Sequence, residues 1–127
     1  MSRLIALLVD NMYEKALSSE DIKSLPDLTA NIMEKVEYIF HDTQGEGELK
    51  KRVVVKIMRN LCSRQKITSK YPLAKNMTIQ NIISMIDVIA KASNQEYAIN
   101  KNTKVYNIDE ENDEDIDRCI SCCFNKM

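Results

Sequence analysis

Three of the four cysteines stand near the end of the sequence, where their spacing could serve metal or redox chemistry. Cys119 and Cys122 form a C-x-x-C pair, and Cys123 follows directly. A structural zinc site needs four ligands, and the remaining candidates, Cys62 and His41, do not form a second pair. Nearby acidic residues raise a thiol pKa, which disfavours a redox pair. We expect no metal and no cofactor, and thiols that are mostly small buried side chains, with lipidation of a C-terminal cysteine as an alternative.

The sequence contains few of the residue arrangements that are typical of active sites. His41 is the only histidine, so a relay with serine or cysteine has a single candidate base, and that residue lies at the predicted end of a helix. No pair of acidic residues is enclosed by apolar residues in the way expected of an acid–base couple. The two glycines lie in residues 41–47 without the Gly-Lys-Ser/Thr sequence of a phosphate-binding loop, so a helix connection is predicted there. We therefore expect a protein without enzymatic activity.

The most basic stretch of the chain is also its most apolar, and it reads ELKKRVVVKIMRNLCSRQK. On a helix, Arg52, Lys56 and Arg59 share one ridge, which Arg64 and Lys66 continue. Such a ridge could follow a nucleic-acid backbone or face an acidic protein surface. Aromatic residues for base stacking are absent from the stretch, and the whole chain has a net charge of −1. An acidic protein partner is therefore favoured, with nucleic-acid binding as the alternative.

Charge is unevenly distributed along the chain. Residues 1–47 hold nine acidic and four basic residues, residues 48–75 hold one and nine, and residues 76–127 hold nine and five. A basic centre thus lies between acidic flanks. We expect these charges to complement one another within the fold or within an assembly.

The composition and periodicity predict an all-α protein. Only two glycines and two prolines occur among 127 residues, which argues against a turn-rich β fold. Apolar residues recur with the helical period in four segments, near residues 3–17, 26–41, 48–65 and 78–92. In the third segment they cover more than half of the circumference, which predicts burial on more than one side. We expect a small helical bundle over residues 1–108, with a loop at 67–76 and a hairpin or irregular segment at 97–108.

Local signals mark the start of two of these helices. Ser24 stands before Pro26 and Asp27, a pattern typical of an N-cap followed by proline in the first turn. Thr78 or Asn76 can cap the fourth helix in the same way.

Residues 109–127 are predicted to form an acidic C-terminal arm. Seven of the nine residues from Asp109 to Asp117 are acidic, a density that does not suit a buried position. Ile116, Ile120 and Phe124 nevertheless follow at helical spacing, together with two of the cysteines. This apolar face either docks on the bundle or folds on a partner. With the basic ridge of Arg52, Lys56 and Arg59, these residues are the predicted partner-binding positions.

Residues 28–61 carry an I-M-E-K-V-E run, a glycine-containing break and then E-L-K-K-R-V-V-V-K-I-M-R-N-L. This stretch resembles small helical virion proteins, of the minor capsid type, encoded by large nucleocytoplasmic DNA viruses. The 15 Ile, 11 Asn and 13 Lys fit an A/T-rich coding sequence, which is consistent with a viral source. The resemblance implies a structural or adaptor protein that works through protein–protein contacts, and it carries over no catalytic residue.

The sequence also bears on location. The cysteine positions do not suit a secreted disulfide framework, which indicates a reducing compartment. The apolar run at residues 4–9 ends at Asp10 and is too short to span a bilayer, so no transmembrane helix is expected. Together with the resemblance, this predicts a protein of the virion or the host cytoplasm.

Overall fold

The computed structural model describes residues 3–40 and 47–93, and these form an all-α bundle, as predicted. The helices are α1 (Arg3–Ser18), α2 (Leu25–Ile39), α3 (Gly47–Cys62), α4 (Gln65–Lys70), a 3₁₀ helix (Pro72–Asn76) and α5 (Ile79–Ser93). None of these helices is long and apolar enough to cross a membrane. The connection at 41–46, the segment at 97–108 and the acidic arm at 109–127 lie outside the described residues.

Helix α3 is the centre of the bundle. It packs against α1 and α4 as well as α2 and α5. Its buried apolar side chains are Leu49, Val53, Val54, Val55, Ile57, Met58 and Leu61. A helix with neighbours on several sides needs a wide apolar arc, so the prediction that this helix is buried on more than one side is confirmed.

The predicted caps are present at two helix starts. Ser24 has extended backbone angles, and its side-chain oxygen accepts a hydrogen bond of 3.3 Å from the backbone N–H of Asp27. Pro26 lies in the first turn of α2, where its missing N–H leaves no hydrogen bond unmade. At α5, the hydroxyl of Thr78 accepts from the N–H of Asn81 at 3.1 Å. Both helices therefore start where the local sequence indicates.

The third helix ends three residues before the predicted position, and the prediction of a loop at 67–76 is wrong. Helix α3 ends at Cys62, and a turn leads to Arg64, whose φ of −91° and ψ of 132° interrupt the helical path. Helix α4 and the 3₁₀ helix then fill the predicted loop. The physical reason is an apolar spacing of i, i+4 and i+7, because Ile67, Tyr71 and Ala74 are all buried against the bundle.

This short helical region also holds the end of α1. The hydroxyl of Tyr71 donates toward the carbonyl oxygens of Ala16 at 3.0 Å and Ile22 at 2.9 Å. The ammonium group of Lys70 donates to the Ala16 carbonyl and, at 3.3 Å, to that of Ser19. The last carbonyl groups of a helix have no partner within the helix, and a nearby cation suits the negative end of its dipole. Tyr71 and Lys70 therefore fix the end of α1 and the connection to α2.

Candidate functional site

The basic residues of α3 divide into two groups, of which the first is an inner pair. Lys50 and Lys51 lie in the first turns of the helix, with only 2% and 1% of their surface exposed. The ammonium nitrogen of Lys50 donates to the Glu37 carboxylate of α2 at 3.0 Å. That of Lys51 lies 2.9 Å from the carboxylate of Asp87 on α5. The two lysines therefore connect α3 to both of its neighbours on that side of the bundle.

Charge pairing explains how these lysines are accommodated. Burying an ammonium group is costly unless a carboxylate accompanies it, and a cation near a helix N-terminus also opposes the helix dipole. Glu37 and Asp87 are only partly buried, so each carboxylate keeps some contact with water while it neutralises a buried lysine. At these two pairs the expectation that the basic centre complements the acidic flanks is confirmed.

Lys50 and Lys51 were not predicted to be inner residues, although the sequence carries a signal for their burial. Lys50 stands four residues before Val54 and seven before Ile57, and both of these are buried. Residues at that spacing share one helix face. The burial of the two lysines therefore follows from their position on the helix relative to the apolar residues, and not from their residue type.

The second group is an outer row formed by Arg52, Lys56 and Arg59, which follow one another at i, i+4 and i+7. Arg59 is exposed, and Arg52 and Lys56 are half-buried. The exposed Glu48 lies one turn before Arg52, at the start of the same row. The structure therefore brings the three predicted basic partner-binding residues together on one face. The predicted apolar partner-binding residues, Ile116, Ile120 and Phe124, lie outside the described part of the chain.

Arg64 does not extend this outer row, contrary to the sequence prediction. Its guanidinium group lies over the ring of Tyr13 on α1, 4.7 Å from the ring centroid, and 3.7 Å from the carboxylate of Asp10. Its Nε donates to the side chain of Asn60 at 3.0 Å. Because α3 ends at Cys62, the chain turns before Arg64 and directs it toward α1. Lys66, by contrast, is exposed on α4.

Cys62 is the one cysteine within the described residues, and it is half-buried at the end of α3. Burial raises the pKa of this thiol to about 11. A raised pKa keeps the thiol protonated, which makes it a poor nucleophile and a poor metal ligand. Among residues 3–40 and 47–93, no three histidine, cysteine or acidic side chains are grouped as a metal site would require. His41, Cys119, Cys122 and Cys123 fall outside those ranges.

The surface of the described bundle has a shallow groove of about 360 Å³ between α1 and α2. Most of its lining side chains are polar or charged, with both signs of charge present, and the others are one methionine and one tyrosine. The lining residues are Asn11, Met12, Lys15, Asn31, Glu34, Lys35 and Tyr38. A small-molecule site is typically enclosed and mostly apolar, with a few convergent polar groups. The groove does not have that character, so the outer row of α3 is the better candidate for a functional surface.

No protein-family model matches the chain, and searches of curated proteins and of solved structures return no significant match.

Proposed function

We propose that this chain is a non-enzymatic structural or adaptor protein that works through protein–protein contacts in a larger assembly. We further propose that the outer row of α3 is one of its contact surfaces and that it meets an acidic surface of a protein partner. The observation that carries the proposal is the division of the basic residues of α3. Lys50 and Lys51 are almost completely buried, whereas Arg59 is exposed and Arg52 and Lys56 are half-buried on one face of α3.

The geometry of the outer row fits a protein contact. Seven residues separate Arg52 from Arg59, so the row extends about 10 Å along the helix axis. This length suits a short acidic segment or two turns of an acidic helix. Charged groups at the rim of an interface mainly set the association rate and the choice of partner. The row lies on the central helix of the bundle, so it is presented on a well-packed support.

The resemblance of residues 28–61 to virion proteins supports a more specific proposal. We infer a minor capsid or similar virion component, present in the virion or the host cytoplasm. The same basic row supports nucleic-acid binding as the alternative, since phosphate groups also favour clustered cations.

Removal of the outer row tests the proposal. The triple variant R52A/K56A/R59A and the natural chain would be compared by size-exclusion chromatography in an extract of the native source. We expect the natural chain to elute in a large complex and the variant to elute mostly as free protein, because the row supplies part of the contact. A matched control, K23A/K35A/K75A, removes three exposed lysines from other surfaces and should leave the complex intact.

Binding of the purified chain to immobilised nucleic acid distinguishes a protein-binding role from a nucleic-acid-binding role. Immobilised DNA or RNA at low salt should not retain the natural chain if the partner is a protein. Retention that falls steeply with salt, and that is lost in the triple variant, would favour the nucleic-acid alternative. Elution of the natural chain as free protein in the native extract would contradict the assembly role.

A further inference from the structure

The described bundle is basic, although the whole chain is slightly acidic. Residues 3–40 and 47–93 hold 14 basic and 9 acidic residues, a net charge of +5, whereas the whole chain has a net charge of −1. Residues 109–127 hold two basic and seven acidic residues, a net charge of −5. The excess positive charge of the bundle is therefore matched by the negative charge of one segment of the same chain.

The outer row of α3 concentrates this positive charge on one face. Three cations at i, i+4 and i+7 lie within about 10 Å along the helix axis. Cations so close together repel one another, and a ligand with several carboxylates relieves that repulsion. The exposed Glu48 stands at the start of the row and repels such a ligand there, so the contact is expected from Arg52 to Arg59.

The acidic run of residues 109–117 is the segment whose charge density suits this row. Seven of its nine residues are acidic, whereas no nine-residue window before Asp109 holds more than three acidic residues. The run therefore supplies more than two carboxylates for each cation of the row. Within this sequence, charge density singles it out as the occupant.

The length of the chain allows the acidic run to reach the row. Helix α5 packs against α3 and ends at Ser93. Residues 94–108 connect it to the acidic run, and 15 residues extend to at most about 50 Å, whereas a bundle of this size is about 30 Å across. Nine residues span about 14 Å as a helix and about 30 Å when extended, so the run covers the row in either conformation.

We propose that residues 109–117 bind the outer row of α3 within the same chain, with their carboxylates against Arg52, Lys56 and Arg59. A tethered segment has an effective concentration on the order of 1 mM, so it occupies the row until a stronger ligand displaces it. The segment therefore competes with an acidic protein partner for the row. That competition rests on the proposed function, whereas the contact within the chain does not.

Carbodiimide crosslinking of the whole chain tests this contact, because the reagent joins a lysine to a carboxylate only where the two groups meet. Trypsin cleaves after Lys104 and Arg118, so the peptide 105–118 contains the complete acidic run. At low salt we expect mass spectrometry to find Lys56 joined to this peptide in a product of 14.6 kDa. At about 1 M salt the screening length falls to about 3 Å, and the yield should fall at least about fivefold.

A variant of the row checks that its charges hold the segment. R52A/R59A keeps Lys56 as the reacting group but removes the cations on both sides of it, and the yield should fall at least about fivefold. The matched control K23A/K35A removes two exposed lysines from other surfaces and should give the natural yield. Circular dichroism of both variants should show the helicity of the natural chain, and the salt series on the natural chain needs no variant.

The proposal is overturned if Lys56 is not joined to the peptide 105–118, or if the yield is the same at high salt or in R52A/R59A. A crosslink found only in a product of twice the monomer mass would overturn it as well, because the segment would then bind the row of a second copy. The test is separate from that of the proposed function. A chain that elutes as free protein in the native extract can still give the crosslink, and a chain that elutes in a large complex can lack it.

Discussion

Two lysines with almost no solvent exposure are the most unusual residues of this bundle. Lys50 and Lys51 each carry a positive charge into a region otherwise lined by apolar side chains, and each finds a carboxylate on a neighbouring helix. Such a pair adds little net stability compared with apolar residues, but the loss of one partner leaves a buried charge behind. The lysines therefore make the placement of α2 and α5 against α3 depend on two particular pairs.

The first residue-scale prediction concerns the partner of Lys51. Asp87→Asn should lower the free energy of unfolding by about 3 kcal/mol, because it removes the negative charge that accompanies a buried ammonium group. Urea denaturation followed by circular dichroism measures the change. Asp10→Asn is the matched control, since Asp10 is 71% exposed and lies 3.7 Å from Arg64. That change should cost under about 1 kcal/mol.

A double variant checks that charge is the cause. Lys51→Met combined with Asp87→Asn removes both charges and should recover most of the lost stability. Equal effects of Asp87→Asn and Asp10→Asn would show that the Lys51 pair has no special weight in the fold.

Single residues were predictable where the signal was local. Ser24 and Thr78 cap their helices as expected, because a cap depends on a side chain and the backbone two or three residues away. The position of Arg64 and the partners of Lys50 and Lys51 were not foreseen, because they depend on helices that are distant in the sequence. A pattern based on residue type places lysine and arginine outside, and only the carboxylates of α2, α5 and α1 explain where these three lie.

At the scale of elements, long amphipathic segments were predicted well and short ones were not. The four main helices begin and end within three residues of the predicted positions. Helix α4 has six residues and the 3₁₀ helix has five, which is too short for periodicity to stand out from the sequence around it. Pro72 disfavours a helical conformation in the residue before it, yet it occupies the first turn of the 3₁₀ helix, where proline is tolerated.

The element-scale prediction concerns the contact between this region and α1. Tyr71→Phe keeps the buried ring but removes the hydroxyl group that donates to Ala16 and Ile22. We expect a loss of about 1–2 kcal/mol in the free energy of unfolding, since a buried hydrogen bond is lost and two carbonyl groups lose a partner. Urea denaturation at pH 7 is the measurement.

Tyr13→Phe is the control for this substitution, because its ring stays in place beneath the guanidinium group of Arg64. It should change stability by less than about 0.5 kcal/mol. A Tyr71→Phe chain as stable as the Tyr13→Phe chain would mean that apolar packing alone holds the 3₁₀ region against α1. Burial also raises the pKa of Tyr71, and Asp27 raises it further, so the hydroxyl stays protonated and able to donate at that pH.

At the scale of the whole molecule, the basic residues that are clustered in the sequence differ in how deeply they are buried. The basic residues of α3 are divided between the core and one outer face, and acidic residues of α2 and α5 neutralise the inner ones. The sequence predicted the all-α bundle and the central position of its third helix, because both follow from apolar periodicity. It also predicted the outer row of the candidate site. Helical spacing separates Lys50 and Lys51 from that row, but only the neighbours of α3 show which carboxylates pair with them.

The last prediction tests the central position of α3. Val53 is fully buried near the middle of the bundle. Val53→Asp places a carboxylate there among apolar side chains that cannot neutralise its charge. The cost should be roughly 4–5 kcal/mol, which is comparable to the whole stability of many small domains. We expect a large fall in the thermal transition temperature, or loss of the cooperative transition, measured by circular dichroism. Ser84→Asp introduces the same charge on the exposed side of α5 and should leave the transition almost unchanged. If both variants melted alike, α3 would not occupy the centre of the fold in solution.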